Sequence, residues 1–160
     1  MQEKPAKVTK TRDTPLMELT LRRYERPIGL EQLELVRKLC LSIGLLQPGD
    51  SRDVVVDVLL AMLLAKKQKQ LMSSEEINET VIGLRKQYNQ QLLGIAPSNV
   101  RRQIKRLREV LLVEKIKSKY RIIEFGTLNS HYDEKFSQFL LPTIVTRIKE
   151  YFSEMDKVFE

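Results

Sequence analysis

SNVRRQIKRLREVLLVEKIKSKYR, residues Ser98 to Arg121, decides how the rest of the chain is read. Its nine basic residues are Arg101, Arg102, Lys105, Arg106, Arg108, Lys115, Lys117, Lys119 and Arg121. Set against two acids, Glu109 and Glu114, they leave the stretch at +7. The whole chain, with 28 Lys and Arg against 21 Asp and Glu, also carries +7, so everything outside the stretch sums to zero. A patch this concentrated is the electrostatic footprint of a polyanionic partner.

Within it, apolar Val100, Ile104, Leu107 and Leu111 recur at i, i+4, i+7 and i+11 and stack on one side of a helix. The spacing predicts a helix over 97–111. At ~100° per residue, Ser98, Asn99, Arg102, Lys105, Arg106 and Glu109 turn away from the apolar side, with Arg101 and Arg108 on the flanks. Ala96-Pro97-Ser98 marks its start: proline lacks an N–H that the first turn leaves unpaired anyway, and Ser98 is the expected cap. Leu112–Lys117 and Lys119–Phe125 are short runs rich in Val, Ile, Tyr and Phe, and predict a hairpin. Its tip, Lys117-Ser118-Lys119, has no Gly or Asn to take a positive φ. A cationic helix face fits a major groove, where Arg and Lys pair with guanine and Asn with adenine. A charged hairpin beside it contacts phosphates rather than bases. The plainer alternative for the helix alone is a solvated surface; the hairpin that follows favours the interface.

A length of 160 residues allows one domain with a real core and a dimerisation element besides. With 42% hydrophobic and 31% charged residues the composition suits a soluble globular protein, and six Gly and six Pro argue for long helices and few turns. Cys40, the single cysteine, lies in apolar Leu39-Cys40-Leu41 and reads as a buried structural thiol. Met1 to Pro5 is not followed by the apolar core of a signal peptide, and the longest apolar run, Val54 to Ala65, contains Asp57 and is too short to cross a bilayer. A cytoplasmic protein without membrane contact is expected. A lone His131 in a predicted loop builds neither a metal site nor a nucleophilic relay, no Gly-rich phosphate loop is present, and no Asp or Glu pairs in an obviously apolar setting. Catalytic residues, metal and cofactor are therefore all expected to be absent, and the chain reads as a non-enzyme.

In chain order, 1–14 (MQEKPAKVTKTRDT) reads as a disordered basic arm. Residues 15–50 read as an N-terminal helical extension. In it Leu16–Tyr24 is a short helix or strand, and Leu30–Ile43 is a helix stopped by Gly44. Arg52 to Lys69 is apolar on nearly every side and reads as the central core helix, with a strand at Val54–Val58 the alternative. Ser73 and Glu76 form an S-x-x-E capping box that opens a helix carrying Ile77, Val81, Leu84 and Tyr88 on one face. After a loop at 126–130, Tyr132 to Phe159 reads as one long helix with a stripe of Phe136, Leu140, Ile144, Ile148, Phe152 and Met155, kinked or split at Pro142. Pairing of this helix with a second copy, giving a homodimer, is favoured over packing on its own domain.

The order of elements from Arg52 to Phe125 resembles the winged helix-turn-helix family of DNA-binding domains found in bacterial and archaeal transcription regulators. A first apolar helix, a Ser-Glu-Glu-Ile second helix, a third with the pattern Val100, Ile104, Leu107, and a paired-strand wing at 113–125 carry the likeness. The resemblance implies a mainly α fold with a small β-hairpin: a winged helix-turn-helix over 51–126 flanked by N- and C-terminal helices, with 127–160 the dimerisation element. It implies that Ser98, Asn99, Arg102, Lys105 and Arg106 face a groove and that Lys117, Ser118 and Lys119 meet the backbone; Arg101, Lys115 and Arg121 complete the cationic set. Two departures stand out. Many members have Gly between third helix and wing, where this chain reads Leu107-Arg108-Glu109-Val110-Leu111-Leu112-Val113, and the connection from Tyr88 to Ala96 is long. The function implied is sequence-specific binding of double-stranded DNA by a dimeric transcription regulator. A winged-helix protein-interaction module, an adaptor in a larger assembly, is the alternative. RNA ranks third, because the patch offers only Tyr120 for base stacking.

Overall fold

Ten of the fourteen residues of one helix, Val54–Lys67 (α2), are buried, and the other elements are arranged around it. The computed structural model describes residues 17–160, so the basic arm expected over 1–14 lies outside the described residues. Val54–Val58 is helical, which removes the strand alternative: branched valines cost helix propensity, but burial on every side outweighs it. Around α2 pack Gln32–Ser42 (α1), Ser74–Gln87 (α3), Pro97–Glu109 (α4) and a hairpin of Val113–Ile116 (β1) and Lys119–Ile122 (β2). The chain is thus mainly helical with one small antiparallel sheet.

Residues 17–31 form neither helix nor strand, so the segment read as helix or strand before Tyr24 is an irregular strap as far as it is described. It is held to the end of α1 by the Arg22 N–H to Ser42 O, 2.9 Å, and by Arg22 Nη1 to Leu41 O, 3.1 Å. Gly44 sits at φ +78° where a Cβ would lie 2.9 Å from the Thr20 backbone, so only glycine lets the strap pass.

Helices α1 to α4 all end the same way. In each, the residue after the C-cap turns left-handed and the next N–H reaches back to a carbonyl of the last turn: Leu45 to Cys40, Gln70 to Ala65, Gln90 to Arg85, Leu112 to Leu107. Gly44 and Asn89 suit that conformation; Lys69 and Leu111 adopt it at φ 50° and 62° despite their Cβ. Leu111 therefore takes the conformation that glycine commonly takes at a helix end.

Helix α3 opens with the predicted capping box, Glu76 N–H to Ser73 Oγ at 3.1 Å and Ser73 N–H to Glu76 Oε2 at 2.7 Å. The cap of α4 differs from expectation. Ala96 is its N-cap and Ser98 lies inside the first turn, since Pro97 already starts the helix. The long connection before it is pinned by three bonds to backbone carbonyls: Asn78 Nδ2 to Ile95 O at 2.8 Å, Arg85 Nε to Gln91 O at 2.7 Å, Asn99 Nδ2 to Gly94 O at 2.7 Å.

Val113 pairs with Ile122 and Ile116 with Lys119, leaving a two-residue tip, Lys117-Ser118, shorter than the three residues predicted. Lys117 takes the positive φ, 57°, that a tight hairpin needs. Met72, just before α3, bridges Tyr120 through N–H···O contacts of 3.0 and 2.8 Å and fastens the hairpin to the start of that helix.

The strands are shorter than the runs predicted, because Ile123–Phe125 forms a 3-10 turn. Helix then runs unbroken from Leu128 to Phe159: a turn of α-helix (Leu128–His131, α5), a π-helical stretch (Tyr132–Leu140), and Leu141–Phe159 (α6). The expected loop therefore ends early, at Thr127, whose Oγ1 accepts the Ser130 N–H at 3.3 Å. Pro142 does not split the helix. The Leu141 N–H reaches Phe136 O, five residues back, so Pro142 enters in the first turn of a new α register where its missing donor is not needed. No residue of α6 is buried.

One expectation about acids is overturned. Asp57, 1% exposed in the middle of α2, pairs with Arg85 of α3, which also reaches Asp53; Arg37 of α1 closes the set on Asp53 at 2.6 Å. Two cations and two anions thereby cross-link three helices, from the buried Arg85–Asp57 pair out to the partly exposed Arg37. Burial pushes the Cys40 thiol up to about 12, as befits an inert core residue. No described helix is long and apolar enough to cross a membrane.

Candidate nucleic-acid interface

Val100, Ile104 and Leu107 are each at most 1% exposed and bolt α4 to the core, as their spacing predicts. That fixes the opposite face outward: Ser98, Arg101, Arg102, Lys105 and Arg108 are all exposed. The hairpin adds exposed Lys115, Lys117, Ser118 and Lys119. Seven of the nine basic residues of the 98–121 stretch are therefore open to solvent. Lys105 has Glu109 only at 3.9 Å, and Lys115 rests 5.8 Å from the centre of the Tyr120 ring. Exposed pairs at such distances hold a side chain weakly and leave it available.

Three residues of the predicted set are committed elsewhere. Arg106, expected to face a groove, turns inward: Nη2 donates to Leu45 O at 2.6 Å and Nη1 to Gln103 Oε1 at 2.8 Å, clamping α4 to the end of α1. Asn99 is half-buried, with Nδ2 on Gly94 O and Oδ1 accepting from Gln103 at 3.1 Å, so its amide holds the loop before α4. Arg121 is paired to Glu114 at 2.7 Å and lies 4.9 Å from the Phe125 ring centre. Projection around a helix axis gives a side chain's direction and says nothing of partners that folding brings near.

Two acids went unremarked at this surface. Glu75 and Glu76, in the first turn of α3, stand beside Arg101 and Lys119; Glu76 Oε2 lies 3.9 Å from Lys119 Nζ. Hydrogen bonds at the helix N-terminus, and more weakly the Arg101 charge, hold Glu75 below the ordinary glutamate range. For Glu76 the Ser73 N–H outweighs desolvation, and Lys119 adds to it. Both therefore stay ionised at neutral pH and offset part of the local positive charge. The capping-box signature marked Glu76 from the start, but for its helix rather than for its neighbours.

No family model, curated protein or solved structure matches this chain.

Proposed function

We propose that this chain is a dimeric, sequence-specific double-stranded DNA-binding protein of winged-helix type, a transcription regulator. The observation that carries the reading is the outward row of Arg101, Arg102, Lys105 and Arg108 on α4, anchored from below by Val100, Ile104 and Leu107, with the Lys117-Ser118 tip and the adjoining Lys119 exposed as well. The order α2, Met72 bridge, α3, α4, β1, β2 supports the winged-helix assignment. In this reading α4 enters the major groove, Arg102 and Lys105 read base edges, and the hairpin tip rests on phosphates. Dimerisation through α6 sets two half-sites about 34 Å apart, or a multiple of that.

The test is selection of bound fragments from random duplex DNA, followed by titration of a selected duplex over a salt series. With about four to six phosphates neutralised per protomer, log K falls against log salt with a slope near −0.9 per contact. Arg102→Ala costs about 1–3 kcal/mol and relaxes one base position, whereas Lys119→Ala weakens every sequence alike. Binding that ignores salt, or that neither substitution changes, overturns the proposal.

A second reading, a protein-interaction module, draws on Leu92 and Leu93, 43% and 61% exposed in the connection just before α4. Its signature is loss of duplex binding at moderate salt with a protein partner retained.

A further inference from the structure

A cavity of about 580 Å³ lies between the N-terminal strap, the end of α1, the turn after α4 and the helix from Leu128 to Phe136. Its wall is largely aliphatic and aromatic, with Leu21, Leu39, Leu112, Leu128 and Phe136 among its residues, and no Asp or Glu lines it. The volume is that of a small-molecule site.

Polar side chains enter the wall from two elements: Arg22 and Ser42, both already bonded to backbone carbonyls of α1, and Asn129, His131, Tyr132 and Lys135 of the helix that begins at Leu128. His131, predicted to lie in a loop, is helical and only 7% exposed, and its two ring nitrogens are closed off from solvent and without a hydrogen-bond partner among the described residues. The ring is held in place by Gly126, where a Cβ would lie 2.3 Å from Nε2. One turn on, Lys135 forms no ion pair and no hydrogen bond among the described residues. Its charge is felt at Glu114, but that carboxylate is already held by Arg121. Asn129, also in the wall, is exposed. Tyr132, Lys135 and Phe136 belong to the π-helical stretch, which begins more than two turns before Pro142 and so is not explained by that residue alone. π-Helical segments recur at binding sites because they redirect side chains.

An apolar wall without a carboxylate, with the ammonium of Lys135 uncommitted beside it, describes a ligand with an apolar body and an anionic head. We propose that this cavity binds a small organic carboxylate, its apolar body among Leu39, Leu112 and Phe136 and its head at Lys135. The proposal stands apart from DNA binding, and its test needs no DNA.

The experiment is calorimetric titration of the full chain with decanoate, beside 1-decanol as the uncharged probe. One decanoate binds per chain, and decanol binds about tenfold more weakly or worse, as loss of a charge-assisted contact requires. Lys135→Gln, an exposed substitution that leaves the core intact, weakens decanoate by about the same factor. Leu39→Trp fills the cavity and abolishes binding, whereas Phe152→Asp on the distant face of α6 leaves it unchanged. Three results each overturn the proposal. These are no decanoate binding below the millimolar range, equal binding of acid and alcohol, and binding lost in Phe152→Asp yet kept in Lys135→Gln.

Discussion

Arg85 Nη1 lies 2.5 Å from Asp57 Oδ2, and the two side chains are only 4% and 1% exposed. Burial pushes the Asp57 carboxyl up and Arg85 pulls against it; at Asp53 burial acts in the same sense, but Arg37 and Arg85 outweigh it and hold that carboxyl below its ordinary range. Removing Arg85 would leave Asp57 buried without its cation and release the Gln91 carbonyl as well. Arg85→Met is expected to cost about 3–5 kcal/mol, the usual consequence of stranding one member of a buried pair. Urea unfolding followed by circular dichroism measures it, and an unchanged midpoint would show that the pair contributes nothing.

Acid should loosen the hairpin. Burial raises the Glu114 carboxyl, but the Glu124 N–H at 2.9 Å and Arg121 at 2.7 Å outweigh it, so its folded value lies below the ordinary one. A depressed carboxylate contributes stability that is full above its unfolded value, near ~4.3 for glutamate, and is lost as pH falls through the lower folded value. The protection factor of the Glu124 amide, its exchange relative to the intrinsic rate at each pH, is expected to fall over that range. Glu114→Gln should show low protection at Glu124 already at neutral pH and a flat protection profile below it; a profile identical to that of the unsubstituted chain would assign the effect to another group.

Two left-handed positions invite stabilisation. Lys69, exposed at φ 50°, carries a Cβ where the backbone prefers none, and Lys69→Gly should raise stability by about 1 kcal/mol. Leu111→Gly relieves similar strain but deletes a half-buried side chain that packs in the turn after α4, so its net gain should be smaller or negative. Thermal melts of the two variants side by side decide the matter. An equal gain in both would mean that the Leu111 side chain contributes no packing.

What the sequence made legible was local. Ser73 and Glu76 are three residues apart, Pro97 opens its own helix, and Val100, Ile104 and Leu107 repeat within a few turns, so neighbour rules suffice for them. What it hid depends on distance. Arg106 is drawn inward by Leu45, 61 residues earlier, and Asp57 finds Arg85 28 residues later. Neither partner is visible until α1, α2, α3 and α4 have packed. The π-helical passage into Pro142 was hidden for another reason: a shift of hydrogen-bond register leaves the spacing of apolar residues almost unchanged.

The outer end of the last helix carries an exposed apolar stripe. Leu141, Val145, Ile148, Phe152, Met155 and Phe159 follow one another at spacings of 4, 3, 4, 3 and 4, the repeat of a two-stranded coiled coil, and each is between 37% and 82% exposed. Since α6 buries none of its own residues, the body of the chain does not depend on it for packing. Phe152→Asp is therefore expected to convert a dimer to a monomer while leaving the melting temperature of the α2-centred core within about 2 °C, as surface changes usually do. Sedimentation equilibrium gives the mass and calorimetry the melt. If the unsubstituted chain already sediments as a single copy at micromolar concentration, the stripe does not pair and the two-half-site arrangement loses its support; if Phe152→Asp unfolds the body, α6 packs on the core after all.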